Sequence, residues 1–146
     1  MTDILKLYAM DQEDLSVMSA ALEGVITSPG EISYSSKSRQ LTLTGSRMRW
    51  EKTSKTATQS SRIRCGVMIT DITAIRAKSI PQDHPTLGME LLSLHCESAD
   101  DGTATILLVF ADDRTLELKV ECVNAALTDV GDPWDTDKVP THKLEN

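Results

Sequence analysis

Residues 105–122 read TILLVFADDRTLELKVEC and form the densest block of apolar residues in the chain. The run from Ile106 to Phe110 is apolar throughout, which is typical of a strand covered on both faces. Asp112 and Asp113 then offer a two-residue turn. After the turn, apolar residues alternate with polar ones, as in a strand with one wet face: Leu116, Leu118, Val120 and Cys122. The stretch predicts a β-hairpin, and since a lone hairpin is unstable in water, further strands or a helix must cover its apolar side.

Further strand patterns precede the hairpin. Short alternating runs bounded by turn residues occur at 5–9, 31–34, 40–44, 63–69 and 91–97. Residues 79–85 contain two prolines and predict a loop. Residues 123–131 fit either an irregular strand or a single helical turn, because their periodicity does not distinguish the two.

One amphipathic helix is predicted near the N-terminus. Asp11 is placed to cap it, since Glu13 and Asp14 put negative charge in the first turn. Apolar residues then recur at helical spacing, and Gly24 is placed to end the helix: Leu15, Met18, Ala21 and Leu22. The fold class predicted is therefore α+β. It comprises one curved antiparallel sheet of about seven strands, which could close towards a barrel, and one N-terminal amphipathic helix.

Length and composition predict a single domain over residues 1–131, followed by a polar, loosely attached tail over 132–146. The net charge of −7 argues against general binding to nucleic acid or membrane surfaces. No apolar run approaches the roughly 20 residues of a membrane helix, and the N-terminus lacks a signal pattern, so a cytoplasmic location is expected.

Three cysteines, an odd number without CxxC spacing, fit a reducing compartment better than a disulfide framework. Strand phase predicts that Cys65, Cys96 and Cys122 all point into the core as inert thiols. No Walker loop, Rossmann glycine pattern, HExxH or GxSxG motif occurs, so no catalytic residue, metal or cofactor is predicted from motifs.

Four stretches resemble a known family: LKLYAMDQEDLSVMSAAL at 5–22, SRMRWE at 46–51, DITAIRAKSI at 71–80 and VECVNAALTDVGDPW at 120–134. In this order they are similar to domain of unknown function 2948, found mainly in α-proteobacteria. The chain departs from the family pattern at Ser46, Met48 and Arg49, where members tend to have Asn, Phe and Asp. The resemblance implies a bacterial origin and no particular activity.

Charge is distributed unevenly along the chain. Residues 37–78 contain ten Lys and Arg against two acids, a net charge of +8. Because the whole chain carries −7, the remaining residues together carry −15. The two-residue alternation of side chains along a strand predicts that Arg47 and Arg49 share one solvent-exposed face, and that Arg62 and Arg64 share another. If these strands are neighbours, a basic patch forms that could bind an RNA or phosphate ligand, an acidic protein, or the acidic part of a second copy. Because stacking aromatics are scarce, nucleic acid is the least favoured of these partners.

Two further candidate sites remain. Trp134 lies in a proline-bounded acidic segment, which either folds back on the body or docks into a partner. Asp83, His84 and His95 would form a general base or metal site if the proline loop folded over the strand at 91–97. The function predicted is a non-catalytic interaction or regulatory module, which could form a homodimer through an edge strand or the basic segment. The alternative is a small enzyme or ligand-binding protein with a pocket at Asp83, His84 and His95.

Overall fold

The computed structural model describes residues 4–52 and 60–136. The helix α1 spans Gln12–Leu22. The strands are β1 (Lys6–Ala9), β2 (Ile26–Thr27), β3 (Ile32–Ser35), β4 (Gln40–Met48), β5 (Ser60–Ile69), β6 (Ile72–Lys78), β7 (Met89–Ser98), β8 (Ala104–Phe110), β9 (Arg114–Val120) and β10 (Ala125–Thr136). Two short 3₁₀ turns occupy Pro29–Glu31 and Trp50–Lys52.

The strands form one open antiparallel sheet in the order β1-β10-β5-β4-β2-β7-β8-β9-β6, with β3 also paired to β4. The two-residue strand β2 joins two halves, since it pairs with β4 on one side and β7 on the other. We call β1, β10, β5, β4, β3 and β2 the first half, and β7, β8, β9 and β6 the second half. The predicted α+β class is confirmed, with one helix near the N-terminus and a sheet that does not close.

The helix begins and ends close to the predicted residues. Asp11 is the N-cap, and its side chain accepts a hydrogen bond from the Asp14 main-chain N–H at 2.7 Å. Gly24, two residues after the helix, has a φ of 85°, which glycine adopts without strain. Leu15, Met18 and Leu22 are buried where α1 packs on β7 and β1.

The hairpin predicted from residues 105–122 is β8 and β9. Phe110 pairs with Arg114 across the turn, and Asp112 and Asp113 both have positive φ, of 68° and 58°. Its inward-facing side chains join those of α1 and of the first half in a single core cluster. The hairpin contributes seven of these core residues: Ala104, Ile106, Leu108, Phe110, Leu116, Leu118 and Val120.

The described residues contain ten strands, where about seven were predicted. The difference includes β2, which is too short to show periodicity, and β10, whose pattern did not distinguish a strand from a helical turn. β10 pairs with both β1 and β5 and continues to Thr136. Residues 132–136 of the predicted tail therefore belong to this strand, and residues 137–146 lie outside the described residues.

Two of the three cysteines point into the core as predicted. Cys65 is fully buried, and this burial raises the pKa of its thiol to about 12, so it stays a neutral thiol. Cys96 is half-buried and packs against the core cluster, as predicted, whereas Cys122 is exposed, so its predicted core position is wrong. β9 ends at Val120. Because the chain bends there, the alternation that runs through Leu118 and Val120 does not extend to Cys122.

Candidate interaction surface

Arg47, from the predicted basic patch, lies in the core and not at the surface. Its side chain is 0% exposed and its guanidinium makes five hydrogen bonds. Nε and Nη2 donate to the two carboxylate oxygens of Asp129 at 2.7 and 2.8 Å. Nη1 and Nη2 donate to Glu51 at 3.1 and 2.7 Å, and Nη1 also donates to the Met48 carbonyl. Every N–H of this guanidinium therefore has an acceptor.

Strand phase explains this burial. On β4 the inward positions are Leu41, Leu43, Gly45 and Arg47, so Arg47 continues the apolar phase. Asp129 holds an inward position on β10, in the cross-strand row of Cys65 and Gly45 next to that of Arg47, and β5 lies between the two strands. The Asp129 carboxylate also accepts the Leu5 main-chain N–H at 2.8 Å. The Arg47–Asp129 ion pair thus links β4 to β10 across β5, and the hydrogen bond from Leu5 fixes the chain immediately before β1.

The other arginines of the predicted basic patch are also engaged. Arg49 is 9% exposed and donates to the Ser61 hydroxyl at 3.1 Å. Arg62 donates to the main-chain carbonyls of Gly24 and Ser46 at 3.2 and 2.8 Å. Arg64 is 46% exposed and forms an ion pair with Glu31. The prediction that Arg47 and Arg49 lie on a wet face is wrong, since side-chain partners and the sheet's inward phase bury them.

Acids from outside the basic segment neutralise much of its charge. Arg39 is paired with Glu121, and Arg76 with Glu117 at 2.8 Å, in addition to the Arg64–Glu31 and Arg47–Asp129 pairs. These four acids reduce the excess of +8 along residues 37–78 to +4 in space. The argument for an RNA or phosphate ligand on this segment is correspondingly weaker.

The outer face of the first half is unexpectedly apolar. Five large apolar side chains point outward from its strands and are 41–70% exposed: Tyr8, Ile26, Met68, Val130 and Trp134. We call this surface the apolar face. Trp134 pairs with Arg62 in the β10–β5 ladder, so it extends the sheet and remains 43% exposed.

Small residues occupy the middle of the apolar face. One cross-strand row reads Tyr8, Ala126, Met68 and Thr42, and the next reads Lys6, Thr128, Gly66 and Thr44. A Cβ atom built on Gly66 would meet no heavy atom within 4 Å. The main chain at Gly66 therefore faces open space beside the Met68 side chain.

The outer face of the second half differs sharply and serves as an internal comparison. Its central row reads His95, Leu107, Glu117 and Arg76, and the neighbouring row contains Glu97 and Lys119. We call it the charged face. Arg76 and Glu117 pair across the strands, as is usual for a sheet face that contacts water. One fold thus presents a conventional wet face and an apolar one.

The second predicted site does not assemble in the described part of the chain. Asp83 and His84 are adjacent in the loop and both side chains are highly exposed, with 3.9 Å between His84 Nε2 and Asp83 Oδ1. His84 lines a shallow groove of about 550 Å³ with Ile80, Pro81, Leu87 and Arg114 among others, but neither Asp83 nor His95 lines it. The His95 imidazole contacts the Ser93 hydroxyl on β7 at 3.1 Å. Among described residues, His95 makes no hydrogen bond or ion pair with Asp83 or His84.

In residues 4–52 and 60–136, no group of three or more His, Cys, Asp and Glu side chains is arranged to hold a metal ion. No helix in these ranges is long and apolar enough to cross a membrane.

Sequence reasoning missed the apolar face, although its signal was present. Met68 stands on the wet phase of the clear alternation in β5, and Val130 stands on the wet phase of β10. Asp129 was also missed. Asp129 falls on the same inward phase of β10 as Ala125 and Leu127. An acid at such a position predicts a buried cation as its partner.

Two carboxylates with lowered pKa values, those of Glu51 and Glu31, should make the stability of the folded protein sensitive to acid. Hydrogen bonds from Arg47 lower the pKa of Glu51 below its ordinary value of 4.5. Burial raises the pKa of Glu31, but the hydrogen bond and charge of Arg64, together with Ser28 and Thr44, outweigh this and lower it. A group with a depressed folded pKa stabilises the protein above its unfolded pKa, and this contribution is lost as the pH falls through the folded pKa.

We therefore expect the urea midpoint of unfolding to decrease as the pH falls from about 5 to about 3. Glu51→Gln should show a smaller decrease over the same range, because it removes one of the titrating groups. Equal pH dependence of the variant and the wild type would contradict this assignment.

Comparison with known proteins identifies the chain's family. A family model described as "Protein of unknown function (DUF2948)" matches residues 5–142. The chain matches no curated protein and no protein of solved structure.

Proposed function

Because the chain belongs to the DUF2948 family, whose description names no activity, we propose a function from its surface: it is a non-catalytic interaction module that binds a protein chain through the apolar face. The observation that carries this proposal is the contrast between the two outer faces. Each face carries an ion pair, Arg76–Glu117 on one and Arg64–Glu31 on the other, but of the two only the apolar face exposes large apolar side chains, five in number. Large apolar side chains gathered on one exposed face are characteristic of a binding site.

The composition of the apolar face supports the same function. Trp, Tyr, Met and Arg are the residue types enriched in protein interfaces, and here they are Trp134, Tyr8, Met68 and Arg64. Of the five residues predicted to bind a partner, Arg62, Arg64 and Trp134 lie at this face. We place the protein in the cytoplasm, since the free cysteines Cys65, Cys96 and Cys122 suit a reducing compartment.

Site-specific photo-crosslinking in cells tests this function. A photoreactive aromatic residue at Tyr8, which is 70% exposed, should give a protein adduct on irradiation. The matched control places the same residue at His95, which is exposed on a strand of the charged face. No adduct from Tyr8, or equal adducts from both positions, would contradict binding through the apolar face.

A further inference from the structure

The shallow groove of about 550 Å³ beside β6, which we call the β6 groove, lies between the end of that strand, the start of β9 and the loop that follows β6. Ala77 lines it from the inward phase of β6, opposite the buried Leu116 of β9. Ala77 is nevertheless exposed, so the core does not cover the apolar side of the sheet at this end. The loop adds Ile80, Pro81 and Leu87 to the lining. The volume of the groove lies in the range of small-molecule binding sites.

The β6 groove combines this apolar lining with basic groups. Besides the four apolar residues, the described lining comprises Ser79, His84 and Arg114, and no acid is among these seven residues. Asp83 and Asp112 are neighbours of the two basic groups, but their side chains are 85% and 70% exposed and do not line the groove. A ligand in the groove therefore meets N–H donors and apolar carbon, and no carboxylate.

The Arg114 guanidinium is held in place but is only partly paired. Its side chain is 21% exposed. Nε donates to the Ser79 main-chain carbonyl at 3.1 Å, and Nη1 donates to Asp112 at 3.1 Å. Since a guanidinium has five N–H donors, the other three, all on the Nη atoms, have no hydrogen-bond acceptor among the described residues. Arg47, by contrast, has an acceptor for every N–H. Arg114 can therefore donate a bidentate pair of hydrogen bonds to a carboxylate.

We propose that the β6 groove binds a small monocarboxylic acid with an apolar body. The carboxylate accepts hydrogen bonds from the Nη atoms of Arg114, and the apolar body lies on the lining residues Ala77, Ile80 and Leu87. A monoanion is favoured over a phosphate dianion because Asp112, which already pairs with Arg114, repels each additional negative charge. The groove lies outside the apolar face, so this site is additional to the proposed function.

Titration of the isotope-labelled full chain with hexanoate, followed by NMR at constant ionic strength, tests the proposal. We expect saturable shifts of the main-chain amide signals of Ser79, Ile80 and Leu87, with a dissociation constant on the order of 1 mM. Hexanamide has the same apolar body without the charge, and acetate has the charge without that body. Each should bind at least about tenfold more weakly than hexanoate.

Two variants and a matched control test the basic and apolar parts of the groove. Arg114→Gln removes the guanidinium and should weaken hexanoate binding by roughly tenfold or more. Arg76→Gln, the control, removes an arginine that pairs with Glu117 on the charged face and should leave hexanoate binding unchanged. Ala77→Phe fills the groove at an exposed position, so it should fold normally and abolish binding.

Three results would each overturn the proposal. They are the absence of saturable shifts with hexanoate, equal affinities for hexanoate and hexanamide, and undiminished hexanoate binding by Arg114→Gln or Ala77→Phe. If Arg114→Gln does not fold, Ala77→Phe and the hexanamide comparison still decide the outcome.

Discussion

Asp129→Ala is expected to lower the free energy of unfolding by about 3–5 kcal/mol. The substitution leaves the fully buried Arg47 guanidinium without the carboxylate that accepts from Nε and Nη2. The Leu5 main-chain N–H loses an acceptor as well. Glu51 cannot replace Asp129, because its side chain is 41% exposed and already accepts from Nη1 and Nη2. Urea denaturation monitored by circular dichroism measures the loss.

A double variant separates the charge left buried from the loss of packing. Arg47→Met with Asp129→Leu removes both charges and keeps apolar volume, so most of the lost stability should return. If Asp129→Ala costs less than about 1 kcal/mol, or the double variant is no more stable than the single one, the pair does not have the structural role assigned to it.

Gly45→Ala is expected to destabilise the protein by about 2–3 kcal/mol, although it adds only a methyl group. A Cβ at Gly45 would lie 2.6 Å from the Ile26 carbonyl oxygen and 3.0 Å from Val25 Cγ1. The carbonyl belongs to β2, the strand that joins the two halves of the sheet, and hydrogen bonds to Leu91 hold that segment in place. Relief of the clash therefore requires the junction to move.

The matched control is Gly66→Ala on the neighbouring strand, where a Cβ meets nothing within 4 Å. There alanine should be neutral or stabilise by up to about 1 kcal/mol, because it restricts the unfolded chain without a clash. Thermal unfolding of both variants gives the comparison. Similar melting temperatures for the two variants would show that β2 moves easily and that the contact between β2 and β4 is not tightly packed.

Local signals in the sequence predicted most of the individual elements. The helix follows from the Asp11 cap, the spacing of Leu15, Met18 and Leu22, and Gly24 after its end. The β8–β9 hairpin follows from the apolar run before Asp112 and Asp113 and the alternation after them. These signals act over a few residues, so they are readable without knowing which strands become neighbours.

The candidate site was predictable only in part, because the partners and burial of its residues depend on which strands become neighbours. Arg47 and Glu51 fall in the SRMRWE stretch, but only the pairing of β4 and β10 with β5 brings Arg47 to Asp129, 82 residues away. The excess positive charge along residues 37–78 is halved for the same reason. Acids as distant as Glu117 and Glu121 meet its arginines through tertiary contacts.

By itself, the sequence determined the α+β class, the helix, the central hairpin and the family, since these depend on short-range periodicity, capping and local motifs. Only the tertiary structure decided that Arg47 is buried with Asp129, and that Tyr8, Met68 and Val130 lie on one face. The physical reason is that alternation tells which residues share a side of one strand. The order and register of strands distant in sequence then decide whether that side is core, paired charge or exposed apolar surface.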